Sequence, residues 1–158
     1  MDSGPDGSRF TVALPLDRPQ PAPLPDPTVA TAATGVAQRQ LLSVEDNPSN
    51  QALIRTLVER RPHWRLHEAA SLAQAHAHLQ HATPDLILLD LHLSDGNGED
   101  LLQALRAQPH TAAIPVVVIS ADATATTLAR VQGDPVRAYL TKPLDVADFF
   151  SILDRHLA

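Results

Sequence analysis

Short apolar runs along the chain alternate with stretches in which apolar residues recur about every three or four positions. Runs rich in Leu, Ile and Val predict buried strands, and the wider spacing predicts helices with one apolar face. The alternation begins at Gln40 and repeats five times. It predicts strands over residues 41–44, 64–69, 86–89, 115–119 and 137–141. The predicted helices are one that opens at Pro48, followed by 71–80, 99–107, 124–132 and 145–157.

The same pattern predicts which helical side chains face the core. The inward residues of the first helix are predicted to be Leu53, Ile54, Leu57 and Val58, and those of the last helix Val146, Phe149, Phe150, Leu153 and Leu157. Strands that alternate with helices predict a parallel α/β sheet. Right-handed crossovers then place helices on both faces, which gives a doubly wound (βα)5 fold with five strands.

The chain before residue 40 has a different character. Half of the 14 prolines lie before residue 28, and in residues 18–27 Pro alternates with other residues, which favours extended polyproline backbone. Residues 28–39 are rich in Ala and Thr, so we predict a linker over 17–39. Ahead of the linker, residues 10–14 alternate as a strand that follows a turn at Gly7-Ser8 and ends at Pro15.

Composition narrows the class of protein. The chain has 158 residues, enough for one domain and an extra segment, and it has no cysteine, which excludes disulfides and thiolate metal sites. It has neither a secretory signal pattern nor an apolar run of the roughly 18–20 residues that a membrane span needs. A net charge of −6 argues against non-specific nucleic-acid binding. We therefore expect a cytoplasmic chain without a membrane segment or a nucleic-acid partner.

Polar side chains follow four of the predicted strands. Glu45 and Asp46 end the first strand, Asp90 ends the third, Ser120 ends the fourth and Lys142 follows the fifth. The carboxyl ends of parallel strands line one crevice, so these groups should meet there. Three carboxylates close together repel unless their pKa values rise or a cation neutralises them. Because the cluster offers only oxygen ligands, it predicts a Mg²⁺ site.

The same residues suit phosphoryl transfer. Asp90 can attack phosphorus and form an aspartyl-phosphate. Mg²⁺ and Lys142 can offset charge on the transferring group, while the Ser120 hydroxyl donates to a phosphoryl oxygen.

Four motifs resemble those of response-regulator receiver domains, in the same order. They are Val-Glu-Asp-Asn-Pro at 44–48, Leu-Ile-Leu-Leu-Asp at 86–90, Ile-Ser-Ala at 119–121 and Tyr-Leu-Thr-Lys-Pro at 139–143. The resemblance runs from about residue 40 to residue 158. It implies a receiver domain over 40–158 with the flavodoxin-like receiver fold and the strand order 2-1-3-4-5.

The resemblance also implies roles for the site residues. Asp90 would take a phosphoryl group from the phosphohistidine of a histidine kinase or a histidine phosphotransfer domain. Mg²⁺ would be held by Asp46, Asp90 and the backbone carbonyl of His92, with Glu45 acting through water. The chain by itself would be no enzyme beyond catalysing its own phosphorylation and dephosphorylation.

A switch is implied as well. The resemblance implies that Tyr139 swings inward as Ser120 is drawn to the phosphoryl group. The face that changes would be helix four, strand five and helix five, roughly residues 124–157, which is also a possible homodimer surface. The peptide bond that corresponds to Lys142–Pro143 is commonly cis in receiver domains.

Two positions depart from the family pattern. Ser94 stands where the family usually has Pro, so the loop over residues 94–98 is expected to be looser. His92 occupies a position that tunes dephosphorylation in the family, and we predict that it sets the lifetime of the phosphate here.

Residues 4–16 resemble the last strand of a histidine-kinase ATP-binding domain, which often ends Gly-Ser-x-Phe-x-Val-x-Leu-Pro. This resemblance implies a remnant over 1–16, a linker over 17–39 and a receiver over 40–158, as at the carboxyl end of a hybrid sensor kinase. Residues 1–39 would then lack their fold and be disordered or loosely docked.

Other interpretations remain open from the sequence. A phosphatase of the haloacid-dehalogenase type needs a second Asp where this chain has His92, and a flavodoxin-like carrier needs a phosphate loop free of carboxylates after the first strand. A receiver domain that binds its partners without being phosphorylated is a third interpretation. Tyr139 can be a simple packing residue. For the three histidines in and just after the second helix, His76, His78 and His81, a solvated helix face is favoured over a metal site.

Overall fold

The computed structural model describes residues 2–4, 7–9, 37–121, 124–133 and 135–157. By contacts between residues the chain divides into two units, Met1–Ala33 and Thr34–Ala158. In the first unit, Asp2–Gly4 pairs with Gly7–Arg9 as two short antiparallel strands. Gly7 and Ser8 therefore lie in a strand and not in the predicted turn, and the predicted strand over 10–14 lies outside the described residues.

Among the described residues of the second unit, the five strands of the main sheet alternate with five helices. The strands are β1 (Arg39–Val44), β2 (Trp64–Ala69), β3 (Leu86–Asp90), β4 (Val116–Ser120) and β5 (Val136–Thr141). The helices are α1 (Pro48–Val58), α2 (Leu72–Leu79), α3 (Gly98–Ala107), α4 (Ala125–Val131) and α5 (Val146–Leu157). A two-residue ladder pairs His92–Leu93 with Gly96–Asn97, and a short helix at Pro109–Ala112 follows α3. All ten predicted elements are present, with bounds shifted by at most two residues.

The sheet has the order β2-β1-β3-β4-β5, and all four neighbouring pairs are parallel. This confirms the flavodoxin-like receiver fold and the strand order 2-1-3-4-5. The order reverses between β1 and β3, which is where doubly wound sheets open a crevice at the carboxyl ends of the strands. Asp90 and the residues that follow Val44 are thereby brought side by side.

The core has two layers because β1, β3 and β4 are covered on both faces. One layer lies under α2 and α3 and includes Leu42, Ile87, Leu89 and Val118. The other lies under α1 and α5 and includes Leu41, Leu88, Ile119 and Phe149. The four residues that open β3, Leu86 to Leu89, have no exposed surface, as expected for a central strand.

Two of the predicted inward residues are wrong. Leu53 is 39% exposed because it lies about 100° around the helix from Ile54, outside the stripe that Ile54, Leu57 and Val58 form. Val146 has the spacing of the inward residues of α5, but it is the first residue of the helix and is 40% exposed.

None of the helices in the described part of the chain combines the length and the apolar content needed to cross a bilayer. Residues 1–39 were expected to lack a fold. Within them the described strands Asp2–Gly4 and Gly7–Arg9 are paired, and Arg39 already belongs to the sheet.

Candidate functional site

Three carboxylates meet at the carboxyl ends of the neighbouring strands β1 and β3. Glu45 and Asp46 follow β1, Asp90 ends β3, and one oxygen from each lies within 4.8 Å of the others. Glu45 is 1% exposed and Asp90 5%, while Asp46 is half-buried. The structure thus brings together the three acidic residues that the sequence singled out.

Lys142, the only lysine in the chain, reaches this cluster from the end of β5. Its Nζ lies 2.7 Å from Oε2 of Glu45 and 2.6 Å from Oδ2 of Asp90. Burial tends to lower the pKa of the ammonium, but the hydrogen bonds to Asp90 and Glu45 and the charges of both carboxylates outweigh it, so the pKa is raised. The backbone amide of Lys142 donates to the carbonyl of Ser120 at 3.0 Å, and the bond to Pro143 is cis, as the resemblance implied.

The charges of the site fit a divalent cation. Three carboxylates and one ammonium leave a formal charge of −2, and every ligand atom available is a hard oxygen. Mg²⁺ would supply the charge that this donor set leaves unbalanced. In the described part of the chain, these three acidic residues form the single group of three or more His, Cys, Asp or Glu side chains close enough to share an ion.

The start of α1 fixes the orientation of Glu45. Oε1 of Glu45 accepts from the amide of Asn47 at 3.2 Å and from Nδ2 of Asn50 at 3.0 Å. Nε2 of Gln51 donates to the carbonyl of Glu45 at 2.6 Å. The side chain of Asn47 caps the helix, and Pro48 needs no hydrogen bond in the first turn. The roles of Asn50 and Gln51 were not predicted, although polar residues in a first helical turn can reach back to the preceding loop.

The segment after β3, residues 91–97, is here called the β3–α3 loop. The amide of His92 donates to Oδ1 of Asp90 at 3.0 Å, and the amide of Ser94 donates to Oδ2 of Asp46 at 2.8 Å. The side chain of Asp95 accepts from the amides of Leu72 and Ala73, which start α2. The looser loop expected without proline at position 94 stays a prediction, and the structure shows these hydrogen bonds and a short ladder within it.

The hydrogen bonds at Asp95 also set its ionisation. The bond from the Leu72 amide is the largest influence, and with the bond from Ala73 and the charge of His76 it holds the pKa of Asp95 below its usual value, against a smaller effect of burial. Asp95 was not predicted as a structural residue, because its partners lie in α2, more than 20 positions earlier.

Gly98 lets α3 begin directly against β3. Its amide donates to the carbonyl of Leu91 at 2.8 Å, and a Cβ at this position would lie 2.5 Å from the carbonyl oxygen of Asp90. Only glycine therefore fits without a shift of the backbone around the candidate phosphoacceptor.

The two predicted switch residues lie on β4 and β5. Ser120 is buried at the end of β4, one residue beyond Ile119, the register partner of Asp90. Tyr139 is half-buried and packs against the core layer under α2 and α3. Its hydroxyl is buried and, among the described residues, has no hydrogen-bond partner. Burial raises the pKa of this phenol, and the charge of Arg106 opposes the rise.

The sequence prediction for His76, His78 and His81, the last of which lies just after α2, holds in part. His76 and His81 are exposed, as expected. His78 is half-buried, and its ring lies 4.7 Å from the ring of His67 on β2. Burial lowers the pKa of His78, and the neighbouring His67 lowers it further.

Comparison with known proteins identifies the family to which this fold belongs. Residues 41–154 match the family model of the response regulator receiver domain. The polar-differentiation response regulator DivK of Brucella anthropi is 29% identical over 124 residues, which cover 75% of this chain and 96% of DivK.

Solved structures give the same result. The receiver domain of the sensor histidine kinase PA1611 from Pseudomonas aeruginosa PAO1, described with a magnesium ion coordinated in its active site cleft, has a TM-score of 0.69 and 28% identity, and the match covers 77% of this chain and 98% of that one. The phosphorylated cyanobacterial phytochrome response regulator RcpA has a TM-score of 0.64 and 26% identity, with 75% of this chain and 91% of that one covered.

Proposed function

Since the chain belongs to the family of response regulator receiver domains of two-component signalling, we propose that it is a phosphoacceptor with Asp90 as the residue that is phosphorylated. One observation carries the proposal. Asp90 is 5% exposed, and its two oxygens accept separate hydrogen bonds, from Nζ of Lys142 at 2.6 Å and from the amide of His92 at 3.0 Å. This nucleophile is oriented, desolvated and adjacent to two further carboxylates.

The proposed reaction is phosphoryl transfer from a phosphohistidine. A carboxylate oxygen of Asp90 attacks phosphorus, the phosphorus–nitrogen bond breaks, and the imidazole leaves with the electron pair and takes up a proton. Lys142 can follow the developing charge, since its ammonium already lies 2.6 Å from the attacking carboxylate. The Ser120 hydroxyl, at the end of the adjacent strand, is proposed to donate to a phosphoryl oxygen.

Mg²⁺ is the proposed cofactor, and when bound it offsets charge on the transferring group. Asp46, Asp90 and the backbone carbonyl of His92 would hold it, with Glu45 acting through water. The formal charge of −2 and the all-oxygen donor set support this assignment. The magnesium ion described for the PA1611 receiver domain supports it as well.

The proposed output is a change in the face formed by α4, β5 and α5. Tyr139 would move as Ser120 is drawn to the phosphoryl group. The buried hydroxyl of Tyr139 supports this, because a polar group without a partner among the described residues gains a hydrogen bond if it moves. The same face is proposed as the surface for a possible homodimer.

The proposed partner is a histidine kinase or a histidine phosphotransfer domain, met in the cytoplasm. The domain assignment, with a kinase remnant over 1–16, a linker over 17–39 and a receiver over 40–158, is likewise a proposal. The PA1611 match, a receiver domain of a sensor histidine kinase, supports a hybrid-kinase origin. The match to nearly all of DivK supports a separate response regulator equally well.

The test is incorporation of label from acetyl phosphate, with Mg²⁺ and with EDTA, into the wild type, Asp90→Asn and Asp100→Asn. Asp100 is exposed on α3, so its variant makes the same charge change outside the cluster. With Mg²⁺, label is expected in the wild type and in Asp100→Asn but not in Asp90→Asn. With EDTA, no label is expected in any of the three proteins. Equal labelling of Asp90→Asn would show that another residue accepts the phosphoryl group.

A further inference from the structure

The β3–α3 loop is attached to the helix beside it by one carboxylate. Oδ1 of Asp95 accepts from the amide of Leu72 at 3.0 Å, and Oδ2 accepts from the amide of Ala73 at 3.3 Å. The first amides of a helix have no partner within the helix. Ser71, the N-cap residue, reaches only the amide of Gln74, so Asp95 serves the two amides before it. A negative charge is also favoured at a helix amino terminus.

The residue before Asp95 is attached to the acidic cluster. The amide of Ser94 donates to Oδ2 of Asp46 at 2.8 Å. Because Ser94 and Asp95 are adjacent in the chain, fixing Asp95 on α2 limits where the Ser94 amide can lie. The bond fixes the rotation of the Asp46 carboxylate and leaves lone pairs on it for a cation.

We propose that Asp95 is a positioning residue for the cation site, acting through the Ser94 amide to hold Asp46 in its binding orientation. This inference rests on the proposed function, since it assigns Asp46 to the cation. Proline at position 94 would have no N–H to donate. In this chain the hydrogen bond from the Ser94 amide to Asp46 would restrain the loop where other receiver domains have a proline ring. A ligand that is oriented in advance loses less conformational freedom when the cation binds.

The first experiment compares Mg²⁺ affinity in four proteins by chemical-shift titration of ¹⁵N-labelled chain with MgCl₂. They are the wild type, Asp95→Ala, Asp95→Asn and Asp100→Ala. Asp95→Ala is expected to weaken the affinity by about two- to tenfold, the range for one lost hydrogen bond. Asp95→Asn keeps one acceptor oxygen, enough for one of the two helix amides, and should recover part of the affinity. Asp100→Ala removes a carboxylate from the exposed first turn of α3 and controls for charge alone.

Amide exchange gives a second readout that does not depend on the cation. In Asp95→Ala without Mg²⁺, the amide hydrogens of Leu72 and Ser94 are expected to exchange faster than in the wild type. The amide of His92, bonded to Asp90, is expected to keep its protection. Unchanged exchange at Ser94 would overturn the link between Asp95 and that amide.

The second experiment changes the amide itself. Ser94→Pro removes the N–H, while Ser94→Ala keeps it and loses only the side chain. Proline is compatible with the preceding residue, because Leu93 already lies in a short strand and so is extended. Ser94→Pro is expected to bind Mg²⁺ less tightly than Ser94→Ala, and equal affinities would overturn the inference.

The outcomes separate this inference from the proposed function. A wild type whose spectrum does not respond to MgCl₂ would overturn the cation site and with it the role of Asp95. If the wild type binds Mg²⁺ and Asp95→Ala binds it with equal affinity, only the role of Asp95 is overturned. Thermal unfolding of each variant identifies any loss of affinity that comes from loss of the fold.

Discussion

Replacing Lys142 with Met tests how the acidic cluster is held together. Met has a similar length and no charge, so Lys142→Met leaves Glu45 and Asp90 without the ammonium that lies 2.7 and 2.6 Å from them. The side chains of these two carboxylates are only 2% and 7% exposed, so water can replace little of the lost interaction. We expect the variant to be less stable than the wild type at pH 7.

The size of the effect follows from burial. Removing one partner of a buried ion pair costs about 3–5 kcal/mol, because it leaves a buried charge uncompensated. The side chain of Lys142 is itself 20% exposed, which places the expected loss near the lower end, at about 3 kcal/mol. Mg²⁺ carries charge of the same sign as the lost ammonium. It should therefore stabilise Lys142→Met more than it stabilises the wild type, by about 1.4 kcal/mol for each tenfold gain in affinity.

The assay is urea unfolding followed by the fluorescence of Trp64, the only tryptophan, which is 4% exposed on β2. Each protein is measured in EDTA and in excess MgCl₂. Arg155→Met, which removes a positive charge from an exposed position on α5, is the matched control and should stay within about 0.5 kcal/mol of the wild type. A loss in Lys142→Met no larger than that of the control would refute the reasoning, as would equal stabilisation of variant and wild type by Mg²⁺.

Four further predictions follow from single side chains. Gly98→Ala should lose about 1–3 kcal/mol of unfolding free energy and should take up label from acetyl phosphate more slowly, because the added Cβ would lie 2.5 Å from the carbonyl oxygen of Asp90. An unchanged unfolding midpoint in urea would contradict this. Tyr139→Phe should keep or gain up to about 1 kcal/mol in the same assay, since the hydroxyl it removes is buried without a partner among the described residues. Because the pKa of His78 is lowered in the folded protein, its imidazole binds a proton more readily in the unfolded chain, and the stability of the fold should fall as the pH drops below the ordinary value of 6.5. The melting temperature of His78→Gln should therefore change less between pH 7 and pH 5.5 than that of the wild type. His92→Ala should change the rate at which labelled protein loses its phosphoryl group, and an unchanged rate would remove His92 as the residue that sets the lifetime.

The sheet could be predicted because its sequence signals are local. Each buried strand is a continuous apolar run, as at residues 86–89 and 116–119, and the helices between them have their own periodicity. The meeting of Asp90 with Glu45 followed from topology alone, since both lie at the carboxyl ends of neighbouring parallel strands. The rule that the carboxyl ends of parallel strands line one crevice was therefore enough to predict the acidic cluster.

The contacts that orient the cluster could not be predicted in the same way. Asp95 caps α2 across more than 20 positions, and a loop aspartate gives no sign in the sequence of which helix it will meet. The prediction of a looser loop at Ser94 stays untested, but it considered only the missing proline and did not include the hydrogen bond that the Ser94 amide donates to Asp46. Leu53 was misplaced because an apolar residue at the margin of a stripe costs little when it is exposed.

The central claim is that Asp90 accepts a phosphoryl group from a phosphorus–nitrogen bond. The most direct measurement mixes the chain and Mg²⁺ with phosphoramidate, which carries that bond in a small molecule. The product is then separated on a gel that retards phosphoprotein, with Asp90→Asn and Asp100→Asn alongside. We expect one retarded band in the wild type and in Asp100→Asn, removed by hydroxylamine as an acyl phosphate should be, and no such band in Asp90→Asn. A folded wild type that gives no retarded band, or an Asp90→Asn variant that gives an equal one, would contradict the claim.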